Sequence, residues 1–221
     1  MSDYGLKIIN ASGETQIDSI YKNHCLLDSG VTALDVSANS FQEVDFINTT
    51  KVPIVAWRPN SSWGSAYAGL KKSGADFIDA WFLSQYDNGG GVNSIAWIVF
   101  VPGNVNAIPS YGLVVYNSNG EVVFSGDDNY MKIQSVYTGS LGNISVEDAD
   151  NNYFILMPVF PMKYAGGGYT SPAVLFYTMG LKKVNSTTIA VEEFVFGVIS
   201  SQGFISGGSI PTTCTLIEVN I

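Results

Sequence analysis

YGLKIINASGETQID at residues 4–18 returns as YGLVVYNSNGEVVFS at residues 111–125. Tyr4, Gly5, Leu6, Asn10, Gly13 and Glu14 recur as Tyr111, Gly112, Leu113, Asn117, Gly120 and Glu121, at one constant spacing of 107 positions, which marks an internal repeat. Each copy reads as a β-hairpin: a β-rich run, an Asn-x-x-Gly turn, then a second alternating run. Leu6 and Ile8 share a face in the first copy, as do Leu113 and Val115 in the second, where Val123 and Ser125 alternate against Val122 and Phe124 on the return strand. Gly13 and Gly120 supply the positive φ that closes such a turn, while Asn10 and Asn117 accept local bonds from the backbone. These glycines follow a hairpin's geometry, not that of a phosphate-cradling loop that opens a helix.

Outward from the repeat, strand candidates dominate. Val52 to Trp57, Ser94 to Val101, Tyr153 to Val159, Ala173 to Met179, Thr188 to Ser200 and Thr215 to Ile221 are rich in Val, Ile, Phe, Tyr and Thr, and most are bounded by Pro, Gly or Asn. Ile95 to Val101 is apolar on both faces, as expected of a strand inside a packed sheet. Only Ala66 to Phe77 predicts a short helix, weakened by about 1 kcal/mol at each of Gly69 and Gly74. The expected fold is all-β: two related β-sandwich-like units built on antiparallel hairpins, with very little helix. Pro102 to Ser110 reads as a connector, placing one unit at 1–107, opening with hairpin 4–18, and the other at 108–221, opening with hairpin 111–125. One larger sandwich with the hairpins in facing sheets is the alternative arrangement.

Composition bounds the function. The chain has 221 residues, of which 46% are hydrophobic and only 13% charged, so Gly, Ser, Thr and Asn must make up much of its surface. A net charge of −9, with basic residues paired only at Lys71-Lys72 and Lys182-Lys183, offers no footprint for a phosphate backbone, and nucleic-acid binding is excluded. Met1-Ser2-Asp3-Tyr4 has no basic n-region or apolar h-region, and no apolar run approaches the ~20 residues that span a bilayer. Synthesis and folding in a cytoplasm are expected, without membrane insertion. Cys25 and Cys214 are therefore expected as free thiols, although a bridge between them would close a long loop. The Asn-x-Ser/Thr sequons at Asn10, Asn48, Asn60, Asn143 and Asn185 are by-products of the polar surface, and no glycosylation is inferred.

The duplicated Tyr-Gly-Leu-x-Ile/Val-x-Asn-x-x-Gly-Glu pattern resembles the opening of small bacteriophage tail-tip and tail-fibre-associated proteins. The likeness covers about fifteen residues in each half. In those proteins the motif stands at the chain start, as Tyr4 to Asp18 does here, and the second copy departs from the pattern. The resemblance implies a structural role in a virion tail, with other phage tail proteins as partners and a homo-oligomer, a trimer by analogy. It carries over no catalytic residue and no cofactor.

Each chemistry-bearing residue also has an ordinary structural reading. His24 is the sole histidine, so a three-His zinc site is impossible, and its neighbour Cys25 falls on the opposite face of an extended strand. Asp127-Asp128-Asn129 and Glu147 to Asn152 offer oxygen ligands but lack the order of a dedicated calcium loop, so solvated turns are favoured and no metal site is assigned. Asp76, Asp79, Asp87, Glu192 or Glu193 could supply a glycosidase pair only if two carboxyls stood about 5–10 Å apart across a cleft. The aromatic loops are the best functional lead: Arg58, Trp63 and Tyr67, then Tyr86, then Tyr164 and Tyr169, set among Gly, Ser and Asn. Rigid rings with small polar neighbours are the composition that binding loops favour, against the plainer role of closing the sandwich ends. The expected function is that of a non-enzymatic tail component contacting its neighbours and a host surface glycan or protein. A lectin-like carbohydrate-binding module and a glycan-degrading tail enzyme are the alternatives.

Overall fold

The computed structural model describes residues 7–9, 15–18, 22–35, 42–60, 64–84, 92–103, 113–126, 128–157, 163–166, 173–200 and 213–221. Its two repeats are two ribbons. β1 (Lys7–Ile9) pairs antiparallel with β2 (Thr15–Asp18), and β9 (Val114–Tyr116) with β10 (Val122–Ser125). Lys7↔Asp18, Ile8↔Ile17 and Ile9↔Thr15 in the first become Val114↔Ser125, Val115↔Phe124 and Tyr116↔Val122 in the second. Every pair is thus reproduced at the repeat spacing, and the register breaks at the same place. In the second turn Gly120 adopts φ +78°, while the Asn117 side-chain oxygen accepts from the Asn119 and Glu121 amides at 2.9 Å each. Gly13 and Asn10 lie outside the described residues.

The remaining strands form two large antiparallel sheets. The six-stranded sheet contains β3 (His24–Asp35), β5 (Ile54–Pro59), β8 (Val92–Pro102), β11 (Lys132–Ser140), β13 (Tyr153–Met157) and β17 (Thr213–Asn220), in the order β11-β17-β13-β5-β8-β3. The seven-stranded sheet contains β4 (Gln42–Thr49), β6 (Ser65–Ser73), β7 (Asp76–Ser84), β12 (Gly142–Ser145), β15 (Ala173–Asn185) and β16 (Thr188–Ser200), in the order β12-β16-β15-β6-β7-β4, with β14 (Lys163–Gly166) added beside β15. Each order reads the same from both ends. β3-β8-β5 answers β11-β17-β13, and β4-β7-β6 answers β12-β16-β15, so the halves are related by a pseudo-two-fold axis. Within each half β3, β4, β5 and β6 alternate between the sheets, as do β11, β12, β13 and β15, while β6–β7 and β15–β16 are hairpins within one sheet. The halves meet through Trp57↔Phe154 in one sheet and Ser65↔Leu181 in the other. Strands from both sides of residue 107 therefore share both sheets, joined at one paired rung in each.

One rung crosses the whole six-stranded sheet: Gly30, Trp97, Trp57, Phe154, Glu218 and Ser135 lie in register on β3, β8, β5, β13, β17 and β11. Trp57, Trp97 and Phe154 point into the core between the sheets, where they join Phe82, Leu181, Ile189 and Leu216. Ala56, Ile98, Phe100 and Val219 form a second apolar cluster. β8 thus contributes Ile95, Trp97 and Val99 to one cluster and Ile98 and Phe100 to the other, which accounts for its apolar run.

The sequence-predicted helix at Ala66 to Phe77 is instead the β6–β7 hairpin. Gly74, at φ +61°, turns the chain, and Ser73↔Asp76 closes the ladder. Burial of Ala66, Ala80 and Phe82 in the core outweighs a local helix preference already weakened by two glycines. Among the described residues there is no helix. Cys25 and Cys214 are buried free thiols.

Candidate functional site

The outer face of the seven-stranded sheet carries a cluster of charged groups. On β4, Val44 and Phe46 enter the core, which leaves Glu43 and Asp45 on the far face; on β7, Ala80 and Phe82 enter and leave Asp79 there. Register then sets Asp45 directly opposite Asp79, and Lys71 of β6 opposite Asp79 on its other side. The Lys71 ammonium lies 3.0 Å from Asp79 Oδ2 and 2.6 Å from Glu43 Oε2. A hydrogen bond between the two carboxyls, then the charge of Asp79, raises the Asp45 pKa above the usual range, so the pair holds a proton more readily than an isolated aspartate does. Bonds from Glu43 and Asp79 raise that of Lys71.

Between Asp45↔Asp79 and Thr49↔Phe77 the β4–β7 ladder slips, with Phe46, Ile47 and Asn48 facing only Ile78. This bulge bends β4 and opens a depression of about 450 Å³, lined by Asp45, Asn48, Ser73, Asp76 and Asp79 with Phe46 and Ile78. Convergent carboxyl, amide and hydroxyl groups in an open hollow can hydrogen-bond a hydroxyl-rich ligand. Asp45 and Asp79 stand directly opposite each other on neighbouring strands. Sequence reasoning named Asp76 and Asp79 but missed Asp45 and Lys71. The alternation of Glu43, Asp45 against Val44, Phe46 was the available signal.

The aromatic residues singled out from sequence are dispersed. Tyr67 packs between the sheets, its ring 5.7 Å from Trp57 and 5.6 Å from Phe82, and burial drives its hydroxyl pKa upward. Arg58 follows Trp57 on β5 and so points to the opposite face, where its guanidinium sits 5.1 Å from the Tyr153 ring centroid. The two are not brought together. At this seam Trp57 Nε1, Arg58 Nε and Ser65 Oγ are buried with no hydrogen-bond partner among the described residues. Tyr164 lies on β14 opposite Phe176. Trp63, Tyr86 and Tyr169 lie outside the described residues, as does Asp87.

His24 and Cys25 lie at the start of β3, beside the segment that follows the second ribbon. Leu26 N donates to Asn129 O at 2.7 Å, and Met131 N to His24 O at 2.9 Å. Burial pushes the Cys25 thiol up to about 12, helped by Asp128, and burial lowers the His24 imidazole. A buried, protonated thiol beside a neutral imidazole is not an activated nucleophile. The ribbon itself is pinned by Phe124 stacking on Tyr130 at 4.9 Å and by the Lys22–Glu121 ion pair at 3.1 Å.

Glu147 to Asn152, considered as a calcium loop, is engaged otherwise. Asp148 accepts from the Asp150 and Asn151 amides and the Asn151 side chain, closing its own turn, and Asp150 pairs with Lys183. The Glu147 and Asp148 amides and Asn152 Nδ2 donate to the fully buried Glu218 carboxylate at 3.1, 3.1 and 2.7 Å, joined by the Tyr137 hydroxyl at 3.1 Å. Burial works to raise the Glu218 pKa, but these donors outweigh it and hold the carboxyl below its ordinary range. Among the described residues no cluster of three or more His, Cys, Asp or Glu is placed to hold a metal.

No family model, curated protein or solved structure matches the chain. The fold defines its class: an all-β, internally duplicated two-sheet sandwich.

Proposed function

We propose that the chain is a structural component of a bacteriophage tail that works by contact. One observation carries this reading: the duplication sets related strands at opposite ends of both sheets, β3 and β11 in one, β4 and β12 in the other. A single chain thereby places related strands at both flanks of each sheet, an arrangement suited to a repeating assembly. The resemblance of Tyr4 to Asp18 and its repeat to tail-protein openings agrees with that role, as does a surface poor in charge. A second reading, contact with a host glycan, rests on the depression at the β4–β7 bulge, whose carboxyl, amide and hydroxyl groups converge. Mass spectrometry of purified particles from a culture expressing the gene tests the main reading. Recovery in stoichiometric amounts with tail proteins supports it, and confinement to the soluble lysate contradicts it.

A further inference from the structure

Among the described residues the two outer strands of the six-stranded sheet differ in how their edges are treated. β3 is clasped by β4: Asp35 N donates to Gln42 Oε1 at 2.6 Å, Gln42 Nε2 returns a bond to Asp35 O at 2.9 Å, and Ile47 N donates to Asp28 Oδ2 at 2.9 Å. It also carries two aspartates, Asp28 within the strand and Asp35 at its end, which discourage edge pairing. β11, whose ladder with β17 also slips once, between Ile133 and Ser135, carries no acidic residue. No such clasp joins it to β12 among the described residues. It runs nine residues without proline, its sole charge is Lys132 at one end, and Ile133 and Val136 are 57% and 58% exposed. A long, extended, nearly uncharged edge is a template for another strand.

We propose that β11 pairs antiparallel with β11 of a second copy about a two-fold axis at Val136, joining the six-stranded sheets of two chains into one. The strand is self-complementary in that register. Lys132 faces Ser140 and Gln134 faces Thr138, and the two lysines stand roughly 27 Å apart, beyond the screening distance of physiological salt. The chain already uses the same operation internally, where the related strands β5 and β13 meet antiparallel at Trp57↔Phe154. This two-fold pairing takes the place of the trimer expected by analogy, and it does not depend on a virion role.

Light scattering coupled to size exclusion tests it, with Val136→Lys setting two charges face to face at the axis and Val31→Lys as the control on the clasped edge. The wild type is expected at twice the 23.7 kDa chain mass, Val136→Lys at the chain mass with unchanged circular dichroism, and Val31→Lys still dimeric. Val136→Cys should also be captured as a dimer by a short bifunctional maleimide, with Cys25 and Cys214 silent because both are buried. A monomeric or trimeric wild type, a folded Val136→Lys dimer, or failure of Val136→Cys to crosslink would overturn the proposal.

Discussion

In the first half of the molecule the position next to the edge strand in the central rung is an indole. In the second half the same place holds a carboxylate. Trp97 faces Gly30, and its Nε1 donates at 2.9 Å to Thr32 Oγ1, two residues along β3. Glu218 faces Ser135, and it accepts at 3.1 Å from Tyr137, two residues along β11. Related positions thus tie an edge strand to its neighbour with donor and acceptor exchanged. The indole fills space, so the facing residue must be glycine: a Cβ on Gly30 would stand 2.7 Å from Trp97 Cζ2. The carboxylate leaves space and a charge, and the Glu147 to Asn152 turn folds over it to supply donors. Duplicated backbones can therefore keep their register while their cores diverge, provided each half satisfies the groups it buries.

The largest effect should come from Glu218→Ala, which orphans two amides, the Asn152 side chain and the Tyr137 hydroxyl; a loss of at least ~3 kcal/mol is expected in urea unfolding. Glu218→Gln should lose less and also alter the pH profile. Because the folded carboxyl is held below its ordinary range, its contribution is present above the unfolded value of about 4.3 and is lost as pH falls through the folded value. The Gln variant should accordingly show a flatter acid limb than the wild type, and equal limbs would refute the assigned role. Gly30→Ala should cost ~1–3 kcal/mol by overpacking against Trp97, whereas Ser135→Ala at the related position should cost about 1 kcal/mol or less. Equal costs would break the comparison. Thr32→Val, which leaves the indole donor unpaired, should cost ~0.5–1.5 kcal/mol.

The smallest expected change is on the outer face. A raised carboxyl pKa favours folding below the unfolded aspartate value of about 3.9, and that contribution is lost as pH rises through the folded value. Asp45→Asn keeps a donor towards Asp79 at every pH, so it should raise the melting temperature near pH 7 and leave it nearly unchanged near pH 3. A lowered melting temperature at pH 7 would show that the two carboxyls do not share a proton.

The repeat was legible because a hairpin is a local object: six identities sufficed to place two ribbons whose registers agree pair by pair. The apolar run of β8 was legible for the same reason. β3 and β4 escaped because Asp28, Gly30, Asp35, Gln42 and Asp45 dilute the β-branched signal, and their strand state is imposed by pairing with β8 and β7. Glu218 was legible only in hindsight, as a carboxylate on the same face as Cys214 and Leu216. Its partners lie about seventy residues away, and no local pattern reports that separation.

Whether the halves truly share their sheets can be tested by cutting between them. A protease site placed between residues 104 and 110 would sever β8 from β9. If the seams at Trp57↔Phe154 and Ser65↔Leu181 bind the halves into one sandwich, the nicked protein should co-elute as a single species and melt in one transition. Two fragments that separate without denaturant, each still folded, would contradict the shared core.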